Sequence, residues 1–135
     1  MHLTLLPDPM AVCRLPADAA LPPDILDAGF CSVTRTPEEL SIVLPADRAQ
    51  IGWKTETGWR MLQARGPLDF ELTGIVAGLT APLAAAGLPV FVVSTFDTDY
   101  LLVRTDRLDA AVATLREAGH EVERVKSENL YPLIG

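Results

Sequence analysis

The sequence predicts an α+β protein: two ferredoxin-like (βαββαβ) modules in tandem, the first degenerate, with helices on one face of antiparallel sheets packed side by side. Three observations carry this. In the second half, apolar residues switch between strand and helix periods in the order β-α-β-β-α-β, the split βαβ arrangement. Ser32–Val43 aligns without a gap on Val92–Val103, each an apolar run, a polar turn and a second apolar run, and such a repeat reads as two copies of one small unit. The 135 residues are 49% hydrophobic but only 6% aromatic, enough for one domain, or two very small ones sharing a core, built from aliphatic side chains.

The first half carries the plan in reduced form. Met10–Leu15 is a strand, Pro22–Leu26 at most a short helix, and Phe30–Arg35 with Leu40–Leu44 a hairpin. Pro45–Gln50 is too short for more than a turn. Such a half has too little apolar surface to stand alone, so it is expected to pack beside the second. The junction falls near Lys54–Gly58, a polar stretch between Trp53 and Trp59, giving modules at 1–57 and 58–135. The two Trp pack between modules on the plainer reading and stack on a ligand on the other.

The second half is read element by element. Trp59–Ala64 is a strand that stops at the turn signal Gly66-Pro67. Leu72, Ile75, Val76, Leu79, Leu83 and Ala86 line one face of a helix, with Thr73 as its cap and Gly87 as its stop. Pro82 lies inside that helix and is expected to kink it or break a hydrogen bond near Gly78. Pro89–Ser94 is a buried strand, Asp97-Thr98-Asp99 a hairpin tip, and Tyr100–Arg104 the return strand. Thr105 caps a second helix whose apolar face is Leu108, Ala111, Val112, Leu115 and Ala118, ended by Gly119, and Glu121–Val125 closes as a strand.

Charge and length exclude several classes. The net charge is −7 and the eleven basic residues are scattered, which is the opposite of a nucleic-acid footprint. No apolar stretch reaches the roughly 18 residues of a membrane span. Met1–Pro7 lacks the basic start and long apolar run of a signal peptide, so the expected compartment is the cytoplasm. Cys13 and Cys31 read as small buried hydrophobes, with a disulfide as the minor alternative. No cofactor motif is present: there is neither a Gly-Lys-Ser/Thr loop nor a G-x-G-x-x-G run.

Four features invite chemistry. Asp97 and Asp99, two apart on extended chain, point the same way and suit a divalent cation, whereas a hairpin tip favours Asp for its own backbone bonds. Thr73-Gly74 opens a helix, and free N–H groups there attract an anion such as a carboxylate. Ser94 and Thr95 are nucleophiles only beside a base, and neither His2 nor His120 belongs to a triad pattern. His120 is expected to meet the negative end of the helix before it.

Leu72-Thr73-Gly74-Ile75-Val76-Ala77, then Ala81–Val90, then Ser94-Thr95-Phe96-Asp97-Thr98-Asp99-Tyr100-Leu101-Leu102-Val103, resemble the ACT-domain family. Within it the chain is similar to small bacterial tandem-ACT proteins and to the ACT modules of animal cytosolic arginine sensors. Ser32–Val43 resembles the hairpin of the degenerate first module. The resemblance spans most of the chain, and the Ser-Thr-Phe-x-x-Asp block is its most specific part. It implies amino-acid binding at the interface between ACT units, in the service of regulation. Carried over by position, the ligand contacts are Leu72, Thr73, Gly74, Ile75, Pro89, Val90, Thr95, Phe96 and Asp99. Gly74 and Ile75 would offer backbone to an α-carboxylate, and Asp99 would pair with an amino group or guanidinium. The arginine sensors carry an acidic residue where this chain has Leu72, which leaves arginine and a smaller or apolar amino acid both open.

The expected function is therefore a non-catalytic regulator, dimeric, with a small amino acid as ligand and a regulated protein as further partner. One alternative is a protein–protein interaction module with no ligand of its own. A weaker one is a metal-dependent hydrolase using Asp97 and Asp99.

Overall fold

The computed structural model describes residues 1–27, 29–65 and 74–125. In chain order the elements are β1 (His2–Leu5), β2 (Met10–Leu15), β3 (Ser32–Arg35), β4 (Leu40–Pro45), β5 (Lys54–Ala64), α1 (Ile75–Ala85), β6 (Val90–Ser94), β7 (Asp99–Arg104), α2 (Leu108–Glu117) and β8 (Glu121–Arg124). Single 3-10 turns lie at Ile25–Asp27, Ala46–Arg48 and Thr105–Arg107. The chain divides into a shorter unit, Asp8–Trp59, and a longer one that joins Met1–Pro7 to the described residues from Arg60 onward.

In the longer unit the strand order is β6-β7-β5-β1-β8. Every second residue of a strand points to one face, and Leu3, Leu5, Leu62, Ala64, Leu101, Val103 and Val122 form one buried cluster. Leu79 and Leu83 of α1 and Leu108, Ala111, Val112 and Leu115 of α2 complete it, so both helices cover the same face. Each such Leu, removed from water, stabilises the fold by about 1.5–3 kcal/mol. The sheet is mixed, not antiparallel throughout: β1 pairs antiparallel with β5 but parallel with β8. The cause is that β1 lies between β5 and β8, two strands a four-stranded ferredoxin-like sheet would place side by side. This first strand also falls on the far side of the expected 57/58 boundary. Its alternating His2-Leu3-Thr4-Leu5 buries Leu3 and Leu5 completely or nearly so, at 0% and 1% exposure.

In the shorter unit the strand order is β3-β4-β2-β5. Ala11, Cys13, Leu15, Leu40, Ile42 and Leu44 supply the inner face, and Ile25 from the first 3-10 turn packs on it. The order of elements is again βαββαβ, with 3-10 turns where the longer unit has helices. Both cysteines are free. Cys31 leads into β3, and β4 separates β3 from β2, so roughly 9.5 Å of sheet keeps it beyond disulfide reach of Cys13.

Two expectations are corrected here. The polar stretch Lys54–Gly58 is strand, not linker: Lys54, Thr55 and Glu56 pair with Arg14, Cys13 and Val12. The register then shifts before Met10↔Trp59, and Gly58 takes φ +84, as a bulge with a left-handed glycine requires. The repeat is also offset by one residue. Thr36 N bonds Glu39 O at 2.9 Å and Thr95 N bonds Thr98 O at 2.8 Å, so Thr36 matches Thr95 rather than Phe96. Leu40, Ile42 and Leu44 then correspond to Asp99, Leu101 and Val103, the residues of the same sheet face. A one-residue slip turns every side chain to the wrong face, which is why only this register keeps both cores inward.

Candidate functional site

The site is built from the start of α1 and the closed end of the β6–β7 hairpin. Gly74 precedes the helix with φ +76, a left-handed conformation that glycine adopts without strain. It stands where Thr73 was expected as cap, and it has no side chain to offer. The first helical bond runs from Gly78 N to Gly74 O at 2.8 Å. The N–H groups of Ile75, Val76 and Ala77 have no acceptor within the helix, and the helix dipole makes this end positive.

The hairpin end is fastened at three points. Its last rung is Ser94↔Asp99, and Ser94 Oγ donates to Asp99 Oδ1 at 2.6 Å. Thr95 closes the turn: its hydroxyl donates to Thr98 O at 3.1 Å and accepts from Thr98 N at 3.3 Å. Thr98, buried at 5% exposure, donates to Ala64 O at 2.6 Å and ties the tip to the end of β5. Asp99 is half-buried and shares the phase of Leu101 and Val103, so it lies on the helix-covered face. It sits at the end of the sheet where β5 finishes. α1 follows β5 and leads back to β6, and its 11 residues span about 16 Å, so α1 begins at that same end.

Gly74, Ile75, Thr95, Phe96 and Asp99 thus lie at the same end of the longer unit. Ile75 is half-buried against the core, Gly74 and Thr95 are exposed, and Phe96 is 80% exposed at the tip. Pro89 and Val90 are not with them: Val90 pairs with Val103 at the opposite end of the same hairpin. Leu72 and Thr73 lie outside the described residues. Sequence reasoning overlooked Thr98 and the Ser94–Asp99 bond. The only signal for them is that Ser94, Thr95, Thr98 and Asp99 are all polar on the two sides of Phe96-Asp97, and side-chain pairing across a turn is not a periodic pattern.

Asp97 does not join Asp99 as a metal pair. It lies in the turn rather than on extended chain, so the shared face expected of two strand residues two apart does not hold. The Tyr100 hydroxyl is pushed above its usual pKa by burial and then by the charge of Asp97. Among the described residues no three His, Cys, Asp or Glu converge as a metal site needs. His120 also departs from expectation. Its Nε2 lies 2.9 Å from Gly78 O in α1, and since a carbonyl only accepts, Nε2 carries the proton. At the same end of the sheet, on the far side of β5 from the hairpin, His2 stands between Glu121 (3.0 Å) and Glu123 (3.2 Å), and their hydrogen bonds raise its pKa above 6.5.

A family model described as ACT domain matches residues 54–117, and a second, for an N-terminal domain, matches residues 8–50. The chain carries an ACT domain over residues 54–117. Among similar proteins, the cytosolic arginine sensor for mTORC1 subunit 1 of Homo sapiens is 41% identical over 59 residues, which are 43% of this chain and 18% of that protein. The chain therefore matches less than a fifth of that relative's length. A solved structure from Agrobacterium tumefaciens is 39% identical with a TM-score of 0.87, covering 93% of each chain. A Vibrio cholerae protein described as of unknown function and a possible transport protein shows 24% identity and a TM-score of 0.71, over 87% of this chain and 88% of its own. The regulatory subunit of aspartate kinase from Thermus thermophilus shares the fold, with a TM-score of 0.59 at 12% identity, over 86% and 95% of the two chains. Among the described residues no helix is long and apolar enough to cross a membrane.

Proposed function

We propose that the chain is a non-catalytic, cytoplasmic regulator that binds a free amino acid at the α1 end of its longer unit. The observation that carries this is the pairing of opposite charges there: a helix start whose N-cap, Gly74, has no side chain to cap it on one side, the Asp99 carboxylate on the other. A zwitterion fits both. Its α-carboxylate meets the N–H groups that follow Gly74, and its ammonium or a cationic side chain meets Asp99. The name of the arginine-sensing relative supports an amino acid as the ligand class and the cytosol as the compartment. The shorter unit is then a degenerate ACT-like module and the longer unit the intact one.

The chain acts as a homodimer in this reading. Among the described residues β6 is an edge strand of the longer unit, and Val90-Phe91-Val92-Val93-Ser94 carries no charge to discourage pairing. Antiparallel pairing of β6 with its copy brings the partner's Pro89 and Val90 toward Ser94 and Asp99. That places residues from opposite ends of one hairpin around one ligand. Ligand then shifts the population of assembled states, which a regulated protein reads.

The test is a thermal-shift screen of the twenty protein amino acids, repeated on Asp99→Ala. A ligand at a hundredfold excess over its Kd stabilises by about 2.7 kcal/mol. A selective rise in melting temperature that the substitution abolishes is the expected result. No rise with any amino acid would overturn the reading in favour of an interaction module.

A further inference from the structure

We infer that Ser94 is a positioning residue that aims the Asp99 carboxylate at the ligand. The inference rests on the amino-acid-binding reading above. Asp99 begins a strand at an open end of the sheet, where an aspartate otherwise rotates between staggered conformers. The Ser94 hydroxyl, 2.6 Å away across the last rung, fixes Oδ1 and leaves Oδ2 to accept from a ligand N–H. A hydroxyl does this without neutralising the carboxylate. A lysine or arginine in its place would hold the side chain but cancel the charge that attracts an ammonium group.

The chain contains its own control. The β3–β4 hairpin is closed in the same way, with Thr36 Oγ1 accepting from Glu38 N and Glu39 N at 3.1 Å each. Its last rung is Arg35↔Leu40, so no hydroxyl–carboxylate bond exists there. Arg35 instead donates to Ala17 O and Ala19 O. Hairpins of this build therefore close without a Ser–Asp rung, through the threonine alone. The Ser94–Asp99 bond is an addition that the turn does not require, at the one hairpin end where a helix start also stands.

Titration calorimetry of wild type, Ser94→Ala and Ser94→Thr against the twenty protein amino acids tests this. The amino acid that wild type selects should bind Ser94→Ala about tenfold more weakly, the size of one lost charge-assisted hydrogen bond. Ser94→Thr, which keeps the hydroxyl, should bind like wild type. The unliganded melting temperatures of all three should differ by no more than one exposed hydrogen bond is worth, because the Thr95 and Thr98 bonds are untouched. Equal affinity in Ser94→Ala, or loss of affinity in Ser94→Thr as well, would overturn the assignment. So would a fall in unliganded melting temperature that accounts for the weaker binding. A wild type that binds none of the twenty overturns the amino-acid reading and this inference together, and it is recognised before any variant is made.

Discussion

Pro82 has no N–H, so the carbonyl of Gly78, four residues earlier, loses the donor that a helix normally supplies. His120 Nε2 fills that role from beyond the end of α2 at 2.9 Å. One side chain thereby repairs α1 and links it to the turn that follows α2. The loss of a bond at Gly78 is legible in the sequence, since the reason is covalent. The donor is not, because nothing local joins residues 42 positions apart. Replacing His120 by Ala should cost about 1 kcal/mol of stability, the net worth of one hydrogen bond. In a Pro82→Ala background the backbone donor returns, and the same substitution should cost measurably less. Urea denaturation of the four proteins gives the coupling directly. Equal costs in both backgrounds would show that the His120 contact does not serve the carbonyl freed by Pro82.

Elements with strong local periods are the ones the sequence reveals. α1, β6, β7, α2 and β8 all form within a few residues of their expected spans, because period 3.6 and period 2 are set by each segment alone. β1 and the first half of β5 escape for a different reason. Both are short or polar stretches that become strands only through their neighbours, β1 between β5 and β8, and Lys54–Glu56 against β2. The β1–β8 pair also gives the fold a pH dependence. His2 holds its proton more tightly in the fold than its ordinary pKa of 6.5, through Glu121 first and then Glu123. Its contribution is complete below 6.5 and fades as pH rises through the raised value. Glu121, held below its ordinary 4.5 chiefly by the hydrogen bond to His2, contributes above 4.5 and loses that as pH falls through the lowered value. Stability from this pair is therefore greatest between the two. His2→Gln should flatten the alkaline arm of a plot of urea midpoint against pH. An unchanged arm would mean that the exposed pair is too well screened by water to matter.

The whole molecule depends on whether one copy suffices. The sequence reveals the ACT domain and the α+β class, and it nominates residues for the site. It does not reveal that Pro89 and Val90 stand at the far end of the hairpin from Asp99, since their distance in space is set by strand register. A site that needs both ends of β6 is incomplete in a single chain and complete when two edges pair antiparallel. Val93 is the position at which to test this. It is half-buried on an edge strand, and its register partner is Tyr100, so it lies on the face away from the helix core. Lysine there should repel an approaching copy while leaving β6 paired to β7, as charged edge residues do in natural sheets. Sedimentation should find wild type as a dimer and Val93→Lys as a monomer with unchanged circular dichroism. The monomer should also bind the selected amino acid more weakly, because the partner's Pro89 and Val90 are gone from the site. A monomeric variant of undiminished affinity would confine the site to one chain, and a wild type that stays monomeric would exclude the paired edge altogether.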